Sequence, residues 1–70
     1  MLTSRESDVL VLLAHGCTYE EIAARLGISL HTVTTHIKSC YRKLDVHRGA
    51  AAVARAVALR LIPELALTEE

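Results

Sequence analysis

The sequence predicts an all-α domain of four helices, and three observations support this. Hydrophobic residues make up 51% of the 70 residues but aromatic residues only 3%, so the core must consist of Leu, Ile, Val and Ala, as in a short helical bundle. Helix-start and helix-stop signals recur along the chain, and the apolar residues between them follow the helical period. We expect helices at roughly 4–15, 19–26, 30–44 and 50–62.

The first two helices begin with the same capping signal. In each, a threonine is followed three residues later by a glutamate, and the two side chains can satisfy each other's free backbone N–H groups. The two pairs are Thr3 with Glu6 and Thr18 with Glu21. Gly16 and Gly27 then stand where a left-handed residue would end each helix.

The second and third helices are separated by a tight turn. Gly27 ends the second helix, and Ser29 can cap the third only two residues later. Ala23 supplies the small residue needed where the two helices cross closely. The apolar positions that would bury both helices against one core are Ile22, Leu26, Ile28 and Val33. Together these features predict a helix-turn-helix arrangement.

The third helix has two chemically different faces. At 100° per residue, with Val33 at zero, its apolar residues fall within an arc from about −20° to +80°. This predicted core face consists of Leu30, Val33, Ile37, Cys40, Tyr41 and Leu44. The opposite side carries His31, Thr32, Thr35, Lys38, Ser39 and Arg42, with Thr34 and His36 on the flanks. A merely solvated face normally mixes acidic and basic residues, so a face without carboxylates favours an anionic partner.

The charge distribution agrees with this, although the formal net charge of the chain is zero. Residues 28–48 have a balance of +3, whereas residues 1–27 have −2 and residues 49–70 have −1. The cations of the central segment are Lys38, Arg42, Lys43 and Arg48, set against Asp45. A neutral chain can therefore still present a basic surface to phosphate.

The fourth helix, at 50–62, is rich in alanine and is expected to end at Pro63. Its core positions are predicted to be Val53, Ala56, Val57 and Leu61. More of its circumference is apolar than one core requires, which a second partner would explain. The surplus residues are Ala50, Ala51, Ala54 and Ala58. The predicted domain covers residues 1–63, and residues 64–70 are expected to form a flexible acidic tail.

Motifs spread over the whole chain share one pattern. They are Leu2-Thr3-Ser4-Arg5-Glu6, Val9-Leu10, Leu12-Leu13-Ala14, Gly16, Glu21-Ile22-Ala23, Leu26, Ile28-Ser29, Thr32-Val33, His36, Lys43-Leu44, Val46 and Ala52-Val53. In this the sequence resembles the LuxR-type (GerE-like) DNA-binding domain of bacterial transcription regulators, without gaps over residues 2–62. The resemblance implies sequence-specific binding of double-stranded DNA, with the third helix in the major groove, in a cytoplasmic regulator.

The resemblance also implies roles for individual residues. The residues that would read bases are Thr34, Thr35 and Lys38. The residues that would contact phosphates are Thr18, Thr32, His36, Arg42, Lys43 and Arg48. Family members commonly pair through the fourth helix, so a homodimer on DNA would form through Ala50, Ala51, Ala54 and Ala58. RNA polymerase is left open as a further partner.

Two positions depart from the family pattern. Many members have Ser, Thr or Asn followed by Arg between the third and fourth helices, whereas this chain has Arg48-Gly49. The polar cap of the fourth helix is therefore absent. The residue after Thr-Val is often basic in relatives, and Thr34 in its place predicts weaker electrostatic anchoring.

Other functional classes fit the sequence less well. His36 and Cys40 are spaced i,i+4 but do not converge outward, and His15 near Cys17 adds no complete ligand set, so neither a metal nor a cofactor is expected. A chain of this size offers no cleft for an enzyme and no pocket for a small-molecule ligand. Its longest apolar stretch, 49–62, is broken by Arg55 and Arg60, so no membrane span is expected. The alternative is a helical protein-interaction module with weak or no DNA binding.

Overall fold

The computed structural model describes residues 1–63, and these contain four α-helices. They are α1 (Ser4–Ala14), α2 (Tyr19–Leu26), α3 (Leu30–Leu44) and α4 (Gly49–Ala58). The predicted all-α class is therefore confirmed. The predicted tail at 64–70 lies outside the described residues. None of the four helices is long and apolar enough to cross a membrane.

Both predicted capping boxes are present. At the start of α1, Thr3 Oγ1 accepts a hydrogen bond from the Glu6 backbone N–H at 3.1 Å, and Glu6 Oε1 accepts one from the Thr3 N–H at 2.9 Å. At the start of α2, the corresponding distances between Thr18 and Glu21 are 3.1 and 2.8 Å. Because these N–H groups have no partner within the helix itself, the reciprocal bonds determine where each helix begins.

The turn between α2 and α3 has the predicted form. Gly27 adopts a left-handed conformation with φ 68° and ψ 35°, and the Ile28 N–H donates to the Ala23 carbonyl at 3.0 Å. Ser29 then caps α3, since its Oγ accepts from the Thr32 N–H at 3.0 Å. With two residues between Gly27 and the first residue of α3, the helix-turn-helix arrangement is fixed by local hydrogen bonds.

The core consists of two clusters, and α3 contributes to both of them. The first cluster contains Val9, Cys17, Ile22, Val33 and Ile37. The second contains Leu2, Leu10, Cys40, Leu44, Ala52, Val53, Ala56 and Ile62. The N-terminal half of α3 thus packs with α1 and α2, and its C-terminal half packs with α1 and α4. One continuous side of α3 is buried along the helix.

The predicted end of α4 was wrong. The helix ends at Ala58 rather than at 62, because Arg60 takes a left-handed conformation with φ 60°. The Arg60 N–H donates to the Val57 carbonyl at 2.9 Å, and the Leu61 N–H to the Ala56 carbonyl at 2.8 Å. This pair of bonds is a Schellman motif. It turns the chain so that Ile62, only 5% exposed, returns to the core.

The prediction that Leu30 belongs to the core was also wrong, since 46% of this residue is exposed. Leu30 is the first residue of α3 and lies toward the edge of the predicted arc. The angular position of a residue shows which side of a helix it occupies, but not how far along its length that helix is covered by its neighbours. The Leu30 side chain is therefore exposed to solvent at the start of α3.

A partly buried ion pair joins α1 to α3. The Glu6 carboxylate lies 2.9 Å from Lys43 Nζ, and Glu6 is only 4% exposed. Burial by itself raises the pKa of Glu6. Hydrogen bonds from the Ser39 side chain and the Thr3 backbone, together with the Lys43 ammonium, outweigh it and lower the pKa to about 2. The folded state therefore favours the charged form of the Glu6 carboxyl group over its protonated form.

This depressed pKa predicts that the chain loses stability in acid. The contribution of Glu6 is fully present above the unfolded pKa of about 4.5 and is lost as the pH falls toward about 2. We expect it to amount to at most about 3 kcal/mol. Urea unfolding followed by circular dichroism between about pH 6 and pH 2 measures it.

Glu6→Gln should lower stability at neutral pH and flatten the pH dependence. Glu21→Gln is the matched control, because Glu21 occupies the same capping position in α2 but is exposed. An unfolding curve for Glu6→Gln that kept the wild-type acid dependence would show that the ion pair does not stabilise the fold.

Candidate nucleic-acid interface

The side of α3 opposite the core is polar, basic and open to solvent. We define the outer face of α3 as His31, Thr34, Thr35, Lys38 and Arg42; Thr34 is half-buried and the other four are exposed. The burial of Val33, Ile37, Cys40 and Leu44 on the other side is what directs these residues outward. The outer face contains no carboxylate, so an anion could approach it without repulsion.

The three predicted base-reading residues lie together on this face. Thr34 Oγ1 donates to the Leu30 carbonyl at 3.1 Å, and Thr35 Oγ1 donates to the His31 carbonyl at 3.1 Å. Each hydroxyl hydrogen is thus used within the helix. What these threonines can still offer outward is a methyl group and oxygen lone pairs. Lys38 is exposed, and its ammonium supplies hydrogen-bond donors.

Two of the predicted phosphate-binding cations are accessible. Arg42 is exposed and makes one long hydrogen bond, from Nη2 to Ser39 Oγ at 3.4 Å. Arg48 is exposed at the start of α4 and, as expected from the missing polar residue, provides no side-chain cap. Neither Lys38, Arg42 nor Arg48 has a carboxylate within 4.0 Å among residues 1–63.

A surface groove adjoins the C-terminal end of α3. It has a volume of about 330 Å³, and its lining residues are Lys38, Tyr41, Arg42, Asp45, Val46 and His47. The groove brings His47 alongside Lys38 and Arg42, a position that the sequence analysis did not identify. The left-handed conformation of Asp45, with φ 57°, turns the chain there, and sequence periodicity gives no signal for it.

Lys43, a predicted phosphate contact, makes two hydrogen bonds within the chain. Its ammonium donates to Glu6 Oε1 at 2.9 Å and to the Met1 carbonyl at 3.3 Å. A phosphate would have to compete with this buried carboxylate. If Lys43 is set aside as neutralised, the balance of residues 28–48 falls from +3 to +2.

Two of the three remaining predicted phosphate contacts lie at helix starts. Thr18 is exposed at the N-cap of α2. Thr32 lies in the first turn of α3, where its Oγ1 is 2.9 Å from Ser29 Oγ. His36 is half-buried one turn later. The free N–H groups of a helix start favour an anion, and the N-termini of α2 and α3 are both exposed.

The alanines of α4 that were predicted to lie outside the core are exposed in the structure. Ala50, Ala51, Ala54 and Ala58 are all exposed, while Ala52, Val53 and Ala56 face the core. Leu59, at the end of the helix, is 55% exposed. The described residues therefore leave an apolar strip along α4 that no other helix covers.

Packing explains why glycine suits position 49, where the chain departs from the family pattern. A Cβ atom at this position would lie 3.1 Å from Leu13 Cδ2 and 3.6 Å from the Tyr41 hydroxyl oxygen. The Leu13 distance is shorter than most contacts of a Cβ atom, so the Leu13 side chain would have to shift, whereas the Tyr41 distance is an ordinary van der Waals contact. Glycine thus allows the start of α4 to approach α1 closely.

The two cysteines are free and buried. Burial, with a smaller effect from the nearby Glu6 carboxylate, raises the pKa of Cys40 to about 11. Its thiol is therefore protonated at neutral pH and is not activated as a nucleophile. Within residues 1–63 no three His, Cys, Asp or Glu side chains are grouped so as to hold a metal ion.

Comparison with known proteins agrees with this geometry. Residues 1–56 match the family described as "Bacterial regulatory proteins, luxR family". The chain is 50% identical over 58 residues to a probable transcriptional regulatory protein, SgaR, of Hyphomicrobium methylovorum. It is 44% identical over 61 residues to the transcriptional activator protein CarR of Pectobacterium carotovorum.

A third relative is the response regulator protein VraR of Staphylococcus aureus, 40% identical over 62 residues. The matches cover 83%, 87% and 89% of this chain but only 28%, 25% and 30% of the respective relatives. The chain thus spans between a quarter and a third of their length. The family match over residues 1–56 and the helix-turn-helix geometry lead to one conclusion: the chain belongs to the LuxR family of bacterial regulatory proteins.

Proposed function

We propose that this chain binds double-stranded DNA sequence-specifically, with α3 in the major groove, and acts in transcription regulation. The observation that carries the proposal is the outer face of α3, which is largely exposed, contains no carboxylate and carries two cations, Lys38 and Arg42, without ion-pair partners in residues 1–63. Membership of the LuxR family and the regulatory names of its relatives support it.

The dimensions of α3 suit this role. A helix with its side chains is about 10–12 Å across, and the major groove of B-DNA is about 12 Å wide. The 15 residues of α3 can therefore lie in the groove with one side buried in the protein. Lys38, in the middle of the outer face, would donate to guanine O6 or N7.

Phosphates would be contacted around this centre. Arg42 and Arg48 extend from the C-terminal side, and Thr18 and Thr32 stand at the starts of α2 and α3. These contacts would fix the position of the protein on the duplex without reading sequence. We assign Lys43 primarily to holding α1 against α3, because its ammonium is already bonded to Glu6.

We further propose that two copies pair through the alanine strip of α4 on DNA. A two-fold dimer would place two recognition helices in successive major grooves, with half-sites roughly 34 Å apart. RNA polymerase is a further candidate partner for a regulator of this family. The same strip also supports the second candidate function, a protein-interaction module with little DNA affinity.

Binding should depend steeply on salt. Fluorescence anisotropy with a mixed-sequence duplex should show affinity falling by an order of magnitude or more between about 50 and 200 mM salt. The reason is that lysine and arginine side chains release counterions from DNA when they bind its phosphates, and added salt opposes this release. No binding even at about 50 mM salt would favour the protein-interaction module over the DNA-binding domain.

Arg42→Ala should weaken binding to all duplexes by a similar factor and reduce the salt slope by about 1. The matched control is Arg5→Ala, since the Arg5 guanidinium already lies 3.6 Å from the Asp8 carboxylate. An unchanged salt slope for Arg42→Ala would remove Arg42 from the phosphate contacts.

Lys38→Ala should relax sequence preference, because its ammonium is proposed to contact base edges. Selection of bound sequences from random duplex DNA, with the wild type and with Lys38→Ala, measures the change. We expect one or two positions of the selected half-site to lose their preference. A selected sequence identical to that of the wild type would show that Lys38 does not read a base.

Ala54→Glu should disrupt pairing, because it places a carboxylate in the apolar strip of α4. We expect weaker binding to a duplex with two half-sites but unaltered binding to a single half-site. Ala54→Ser is the conservative control, since it adds neither charge nor bulk. Equal loss on both duplexes would argue against a dimer through α4.

A further inference from the structure

We infer that the N-terminal half of α3 recognises thymine methyl groups through Leu30 and the methyl groups of Thr34 and Thr35. This inference rests on the proposed function and adds the kind of base pair that this part of the helix selects. Two independent observations carry it. One is the exposure of Leu30, and the other is the internal bonding of both threonine hydroxyls.

Leu30 is an apolar side chain at the start of the recognition helix. It is 46% exposed, and its carbonyl accepts the hydrogen bond from Thr34 Oγ1 at 3.1 Å. Residues spaced i,i+4 follow one another along one side of a helix. Leu30, Thr34 and Lys38 therefore form one row from the first turn to the middle of α3. In the free chain the side chain of Leu30 is left substantially in water.

The threonines lack a free hydroxyl hydrogen for a base. Thr34 donates to the Leu30 carbonyl and Thr35 to the His31 carbonyl, both at 3.1 Å. Guanine presents two acceptors, N7 and O6, in the major groove and so requires donors. Thymine presents a methyl group, and its partner adenine presents an N6 donor. Methyl groups and oxygen lone pairs suit the A·T pair better than G·C.

The row therefore changes in chemistry along its length. Leu30 and Thr34 offer a leucine side chain, a methyl group and acceptor lone pairs, and Thr35 beside them offers a second methyl group, whereas Lys38 at the end of the row provides donors. A half-site read by these residues should place A·T pairs beneath the first two turns of α3. It should place guanine beneath Lys38.

Replacing thymine by deoxyuridine tests the inference, because it removes only the methyl group. The probe is a duplex carrying the sequence that the wild-type 70-residue chain selects from random DNA. Each thymine of the half-site is replaced in turn, and the dissociation constant is measured by anisotropy. Burial of one methyl group predicts a loss of about fourfold at a contacted position. Deoxyuridine in the flanking sequence should have no effect.

Protein variants then assign the contact to a residue. In Leu30→Ala, deoxyuridine at the position read by Leu30 should no longer weaken binding, because the contact is already lost. Thr34→Ser, which keeps the hydroxyl and removes the methyl group, should do the same at its own position. Circular dichroism confirms that each variant is folded, which the exposure of Leu30 favours.

The outcomes separate this inference from the function on which it rests. If no duplex binds, the proposed function fails. If the chain selects a sequence but deoxyuridine never weakens binding, or if selection places guanine under the first two turns, the function stands and the thymine inference is overturned. Sensitivity to deoxyuridine that persists unchanged in Leu30→Ala and Thr34→Ser would overturn the assignment to these residues.

Discussion

The burial of one side of α3 among the other three helices is the constraint on which this structure depends. Val33 and Ile37 belong to one core cluster, and Cys40 and Leu44 to the other. Since a single helix supplies side chains to both clusters, the small core is continuous through α3. The same burial determines which side of the helix remains outside. Because the apolar side of α3 is buried in the core, the polar side must face solvent. The same helix therefore serves both the stability of the fold and the proposed recognition of DNA.

The ion pair between Glu6 and Lys43 shows how a local signal acquires a role in the tertiary structure. Glu6 begins as a capping residue, bonded at 2.9 Å to the Thr3 N–H. The same oxygen then accepts from Lys43 at 2.9 Å. A buried carboxylate is costly unless its oxygens are bonded, and here both a backbone group and an ammonium provide bonds. In consequence one cation of the basic segment serves the fold, and the outer face depends on fewer cations than the sequence suggests.

Local signals allowed much of this architecture to be predicted. The capping residues Thr3, Thr18 and Ser29 and the left-handed Gly27 act through neighbours within a few residues, so their effect is readable in sequence. The end of α4 was missed because a left-handed Arg60 turns the chain before Pro63 is reached, and arginine carries no special preference for that conformation. Leu30 was assigned to the core because periodicity gives an angle but not the extent of coverage. The partner of Lys43 lies 37 positions away, beyond any local pattern.

A chain without net charge can still meet an anionic ligand here, because Lys38 and Arg42, which have no ion-pair partner among residues 1–63, lie together on the outer face of α3. Amide NMR spectra of the chain during titration with duplex DNA test this most directly. We expect the largest shifts on the outer face of α3, at Thr34, Thr35 and Lys38, and at the start of α2. Shifts confined to the alanine strip of α4, with α3 unaffected, would contradict this expectation.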